Sequence, residues 1–270
     1  GLSGFQMEMH GVEREGCTPG LKILNSQDVD LEGTFTGGSN ADRDGCHGFE
    51  GVNLTYMNLK GTMTGGGGGG GGGDGVSCTD CTNFTMSGVI TGGFSGGGEF
   101  GGTGLRIESS SGLTFNGTTR GGNGTFNGGI GFISILSNTT IFSGQSYGGE
   151  PNGNGFYFDS SNDIQICGDG FGGQGQSQGL YASKVSNLNF CGHYVGGSDV
   201  DIRILDSSDV LACGVIRHLG IENVQRLSLE KLQLSTLNVA EPLEELYIRE
   251  LEATLDVKVH VSNLTIISVS

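Results

Sequence analysis

The chain has 270 residues, of which 55 are glycine and 3 are proline, and a formal net charge of −16. The scarcity of proline and the lack of a Gly-X-Y period exclude collagen, while an apolar content of 34%, arriving in regular pairs, excludes general disorder. With only 13 Lys and Arg, the acidic excess excludes nucleic acid as a partner, because phosphates need a basic face, and discourages contact with anionic membranes.

No apolar run approaches the roughly 18–20 residues of a membrane span, so membrane insertion is not expected. The opening GLSGFQ has no initiating Met and does not read as a signal peptide. The chain therefore reads as a processed product or an excerpt, and a missing signal says nothing about secretion. FQMEMHG (5–11) reads as the tail of a structural repeat whose clear copies begin at Leu21.

The copies LKILNSQDVDLEG (21–33), LRIESSSGLTFNG (105–117), FYFDSSNDIQICG (156–168), LYASKVSNLNFCG (180–192) and IRILDSSDVLACG (202–214) share one frame. Apolar residues stand first, third, ninth and eleventh, a small or apolar residue sixth, and glycine thirteenth. Segments 49–61, 76–88 and 132–144 fit the same frame more weakly. Alternation at period two predicts strands with one buried face. Asp28, Asn83, Gly112, Asp163, Asn187 and Asp209 share the column of a tight turn, because Asp, Asn and Gly tolerate left-handed backbone angles. Two short strands joined by a corner and stacked in register describe a parallel β-helix.

Most copies continue with Gly-x-x-x-Gly-Gly, as in GTFTGG, GTMTGG and GHYVGG, and then with a variable segment; the last, GVIRHL, departs from this. The glycine run 65–73 falls inside one such segment. Stacked side by side, these arms can approach closely only if they lack side chains. They are expected to hydrogen-bond to one another as extended polyglycine-like strands, loose loops being the alternative. From Leu219 the coils shorten, with Leu227/Leu229, Leu232/Leu234 and Leu246/Ile248 carrying the pattern. Residues 243–255 could close the end as an amphipathic helix, but the alternation continues and predicts strand. The expected fold is all-β: a single-stranded right-handed parallel β-helix of about eleven coils, tapering, at strand spacing. Residues 1–220 bear glycine-rich lateral arms and 221–270 form bare coils closing the same domain.

Seven cysteines are placed by this frame. Cys17 and Cys46 precede their coils by similar distances and are the best disulfide candidate, which would imply an oxidising compartment. Cys167, Cys191 and Cys213 share one column, a ladder with an odd member. Cys78-x-x-Cys81 resembles a redox or zinc half-site without a second pair and reads as buried free thiols. Asp42 and Asp44, with Arg43 and His47, are where acid, base and imidazole meet locally, the weak candidates for glycan-cleaving chemistry. Asp159/Asp163 and Asp206/Asp209 are alternatives, although Asp163 and Asp209 already serve turns. So poor an inventory leaves enzymatic activity uncertain and leaning against. No cofactor is expected, and no metal, since GGGDG (71–75) lacks the repeated aspartates of a calcium repeat.

Six Asn-x-Thr sequons, at Asn53, Asn83, Asn116, Asn123, Asn138 and Asn263, exceed chance and suggest an extracellular glycoprotein. The arms present Phe94, Phe100, Phe126, Tyr147 and Phe171 among small polar residues. Aromatic faces stack on sugar rings, which would make the arms a binding surface; packing between arms is the other reading.

Taken from about residue 5 to 266, the repeat resembles the right-handed parallel β-helix superfamily, with viral tail-spike and tail-fibre proteins and large extracellular adhesins as its nearest likenesses. The arms are similar in composition to glycine-rich adhesins at the tips of some phage tail fibres. The resemblance implies an extracellular, cell-surface or virion protein that binds a glycan or cell-surface receptor, often as a homo-oligomer, sometimes with endoglycosidase or lyase activity. No family catalytic residue maps onto this sequence. Two alternatives stand beside binding: a structural subunit of an extracellular fibre, packed against its neighbours through its arms, and a polysaccharide lyase or glycoside hydrolase.

Overall fold

A computed structural model describes residues 2–10, 18–97, 100–197, 200–253 and 261–267, with the backbone alone for 2–10 and 251–253. Every described regular element is a strand. The first are Leu2–His10 (β1), Leu21–Thr36 (β2), Phe49–Thr64 (β3), Val76–Thr79 (β4), Thr82–Thr91 (β5) and Leu105–Glu108 (β6). The middle of the chain holds Ser111–Arg120 (β7), Phe132–Ile135 (β8), Asn138–Tyr147 (β9), Phe156–Asp159 (β10), Asn162–Phe171 (β11), Leu180–Ser183 (β12) and Ser186–Val195 (β13). The last are Ile202–Ser207 (β14), Val210–Val224 (β15), Arg226–Val239 (β16), Leu243–Ala253 (β17) and Val261–Ile266 (β18). Residues 243–253 are thus strand, because alternation outweighs the helix propensity of their Glu and Leu.

All pairings among these strands are parallel, each strand bonding to its counterpart one coil away, as a solenoid requires. Leu21, Phe49, Val76, Leu105, Phe132, Phe156, Leu180 and Ile202 form one unbroken register file. Partners lie 28, 27 and 29 residues apart in the first coils, then 24, 22 and finally 17. The segment Leu2–His10 pairs with β2, Phe5 opposite Leu31 and Met9 opposite Phe35, which bears out its reading as part of a coil.

Inward positions build one continuous core. Phe49, Leu59, Phe84, Leu105, Phe115, Phe132, Phe142, Phe156, Leu188 and Phe190 are almost wholly buried. The aromatic rings at its centre mesh, Phe142 meeting Phe156 edge-to-face at 4.8 Å and Phe115 at 4.8 Å. Large and small residues alternate along one file: Tyr194 is fully buried above Gly170, where any Cβ would meet the Tyr194 and Phe156 rings. That is the interdigitation close packing demands.

Two corners shape each coil. Asp28, Asn83, Asp163, Asn187 and Asp209 adopt φ values between 46° and 53°, as the turn column requires. A second left-handed file, unread in the sequence, holds Asn25, Asn53, Asp80, Ser109, Leu136, Ser160, Lys184 and Asp206. Between the two corners a side chain points inward. Where it is Ser110, Ser137 or Ser161, the hydroxyl donates to the carbonyl two residues back and accepts a backbone N–H from the preceding coil. The buried hydroxyls are thereby satisfied.

Candidate functional site

The segments linking one coil to the next extend sideways, and a continuous series of backbone hydrogen bonds ties them together. A chain of hydrogen bonds of 2.7–3.0 Å runs Cys46 N–H to Gly38 C=O, then Gly66 to Cys46, Gly73 to Gly66, Gly93 to Gly73 and Gly102 to Gly93. It continues Gly122 to Gly102, Gly129 to Gly122, Gly149 to Gly129, Gly153 to Gly149 and Gly173 to Gly153. Every residue between the two ends of this chain both donates and accepts within it, the arrangement in which hydrogen bonds strengthen one another. The glycine positions of this column have no room for side chains. A Cβ on Gly66 would collide with the Gly38 carbonyl, one on Gly93 with Gly66, one on Gly122 with Gly93 and one on Gly149 with Gly122. The run 65–73 is therefore glycine because its peptides are sandwiched between neighbours, and Gly65, Gly66, Gly67, Gly68 and Gly73 are buried.

Beyond this column the tips open to solvent. Parallel bridges join Asn40 to Gly68, Gly68 to Ser95, Gly71 to Phe100 and Phe100 to Asn127, so consecutive tips stay in register. Phe94, Phe100 and Phe126 project here with 62%, 55% and 64% of their surfaces exposed. The Phe94 ring lies directly over Gly67, whose missing side chain makes space for it.

Tyr147 and Phe171 sit elsewhere. They close strands β9 and β11 and stack on each other at 4.9 Å with planes 15° apart. The Arg120 guanidinium covers the other Tyr147 face at 4.3 Å, and the His193 ring abuts Phe171. With both Tyr147 faces occupied, this stack glues coils together. Beside it, the Tyr147 hydroxyl donates to Gln145 Oε1 at 2.9 Å, and Asp169 Oδ1 accepts the His193 N–H at 3.0 Å.

The acidic candidates do not converge. Asp42 is exposed, its N–H bonded to Asn40 Oδ1; Asp44 is exposed and its carboxylate borders the Gly70–Gly71 backbone. His47 turns toward a residue the sequence did not single out. Its Nδ1 accepts the Asp74 backbone N–H at 3.1 Å, which puts the neutral ring's proton on Nε2. A general base oriented by a carboxylate needs the opposite tautomer, Nδ1–H donated to the acid. Asp74 is buried and already taken by Arg106 Nε and the Thr103 N–H, both at 2.8 Å. This cluster pins the bases of three successive segments.

Asp201, also missed, does the same where the segments end. It is fully buried, and its carboxylate accepts N–H bonds from Gly196, Arg217 and His218 and the Arg217 guanidinium. Burial alone would raise its pKa, but Arg217 and the backbone donors outweigh it and hold the carboxyl below its usual range. The only available cue was an Asp at a position where other coils have none.

Among the cysteines, Cys78 and Cys81 are free and buried. A hydrogen bond between them raises the Cys78 pKa, burial adding to it, and lowers that of Cys81. Cys46 is disulfide-bonded, while Cys17 lies outside the described residues. Cys191 is bonded to Cys213, and Cys167 is free and exposed. All six sequon asparagines are exposed. Asn53 differs in that its amide nitrogen already donates to Asn25 Oδ1 at 2.8 Å. No group of three or more metal-ligating side chains occurs among the described residues.

A groove of about 550 Å³ near the last of the lateral segments is lined by Gln176, Gln178, Arg203, Glu222 and Asn238 among others. Neither a protein-family model nor a curated protein sequence matches the chain. Among solved structures, an alginate lyase from Paenibacillus sp. str. FPU-7 is similar over 94% of this chain and 90% of that one, at 10% identity and a TM-score of 0.22. A likeness that small carries nothing over to this chain.

Proposed function

We propose that this is an extracellular, cell-surface or virion protein that binds a glycan or cell-surface receptor through the tips of its glycine-rich segments. The observation that carries the reading is the exposure of Phe94, Phe100 and Phe126 on consecutive tips held in register. An exposed phenylalanine ring is costly to leave in water, and three on a rigid backbone lattice offer apolar faces at little conformational cost. The surrounding Ser, Asn and Gly supply adaptable polar contacts of the kind sugar hydroxyls take. Cleavage chemistry gains no such support, since Asp42, Asp44 and His47 do not meet and His47 holds the wrong tautomer for a base.

The test is a glycan array together with binding to cell surfaces, comparing the natural protein with the triple variant Phe94→Ser, Phe100→Ser, Phe126→Ser. Each stacking ring is worth about 1 kcal/mol beyond its burial, so the triple variant should bind at least about tenfold more weakly. Undiminished binding by a folded triple variant, or no binding by the natural protein to any surface tried, overturns the reading.

A further inference from the structure

The three sulfur residues Cys167, Cys191 and Cys213 occupy one outward column on three successive coils. Cys167 pairs in register with Cys191, and Cys191 with Cys213. The upper pair is a disulfide whose Cα atoms are 4.5 Å apart. The lower pair stands at the ordinary spacing of parallel strands, about 4.8 Å, which also falls within the range a disulfide spans. Cys167 is a free, exposed thiol, and the Gln165 amide approaches its sulfur at 3.7 Å. Its column therefore presents a nucleophilic sulfur, a central sulfur and a leaving sulfur one above the other.

Displacement at a disulfide proceeds with attacking, central and leaving sulfurs in line. A solenoid column supplies that line, because its axial direction is the direction in which register partners stack. We propose that the column is a thiol–disulfide exchange site in which the bridge moves one coil along the axis. The Cys167 thiolate attacks Cys191 Sγ, the Cys167–Cys191 bond forms as the Cys191–Cys213 bond breaks, and the electron pair leaves on Cys213 Sγ. One proton is lost at Cys167 and one gained at Cys213. Sulfur oxidation states balance within the column, so no external oxidant or reductant enters. The consequence is structural: in one state the cross-link staples β13 to β15, and in the other it staples β11 to β13 and frees the coil from which the shorter coils continue.

Cys78 and Cys81 make the contrast. They are buried with no disulfide beside them, so they have the thiols but no bond to exchange with.

The natural protein, without reductant at neutral pH, is treated with one alkylating label over a time course. It is then denatured, reduced and treated with a label of different mass, and its cysteine peptides are identified by mass spectrometry. Exchange predicts that the folded-state label appears on Cys167 in some molecules and on Cys213 in others, never on both. In Cys167→Ser, labelling of Cys213 should vanish. In Cys213→Ser, a Cys167–Cys191 bridge should be recovered. Folded-state label confined to Cys167 in the natural protein overturns the proposal without recourse to any variant, as does persistence of Cys213 labelling in Cys167→Ser.

Discussion

Asp201 shows what one buried carboxylate does at the boundary between long and short coils. Its side chain is fully enclosed, whereas its partner Arg217 remains half-exposed at 52%, so much of the ion-pair energy is screened by solvent. The backbone N–H groups of Gly196, Arg217 and His218 carry the larger share, since each is left without an acceptor if the carboxylate goes. Asp201→Ala is expected to destabilise the fold by about 3 kcal/mol, the size of a broken buried charge network, read from chemical denaturation midpoints. The pH dependence has a definite sign. Because the folded pKa is depressed, the stabilisation is complete above the unfolded carboxyl pKa of about 4 and disappears as pH falls through the folded value. The natural protein should lose stability on acidification below about pH 4, and Asp201→Ala should lose less over the same interval.

The glycine column makes the lateral segments into a structural element, and its sterics separate glycines that look alike in sequence. A Cβ on Gly93 would collide with the Gly66 carbonyl, while one on Gly97 would meet only the Gly69 oxygen at 3.4 Å. Gly93→Ala should therefore cost about 2 kcal/mol by overpacking and lower Tm by about 5 °C, with faster proteolysis of the segments; Gly97→Ala should melt like the natural protein. Sequence and structure meet unevenly here. The strand files were legible because burial writes itself into period-two alternation, so Leu21, Leu105, Phe156 and Leu180 could be aligned by eye. So was the thirteenth-position glycine: a Cβ at Gly61, Gly88, Gly117 or Gly144 would strike the glycine carbonyl one coil earlier. The second corner was not legible, because Leu136 and Lys184 hold left-handed angles there that their side chains do not advertise. Nor did composition reveal which aromatics face solvent. Phe94 and Tyr147 are both ringed by Gly and Ser in sequence, but one caps a tip and the other is clasped by Arg120 and Phe171. Asp74 and Asp201 escaped notice because their arginine partners and most of the N–H groups they satisfy lie a coil away in the chain.

Across the whole molecule, stability is a sum of coil terms and nearest-neighbour interfaces, as in any solenoid, and these terms are unequal. The coils from β6 to β13 combine a phenylalanine core with the glycine column, so each is held by two hydrogen-bonded systems. The coils of β16 to β18 have leucine and isoleucine inside and no glycine column, and the files buried at Leu246 and Ile248 are open at Leu264 and Ile266, which are 56% and 54% exposed. Opening should therefore begin at β18 and move toward β15, where Asp201 and the Cys191–Cys213 bridge oppose it. Native-state amide hydrogen exchange measures this directly, since local opening energies set protection residue by residue. Amides of β8 to β11 should exchange slowest and those of β18 fastest, with a step at Asp201. Asp201→Ala should erase the step and extend fast exchange into β14 and β15, leaving β8 to β11 unchanged. Uniform protection from β8 to β18 would show that the coils unfold as a single unit, and the unequal-coil account would fail.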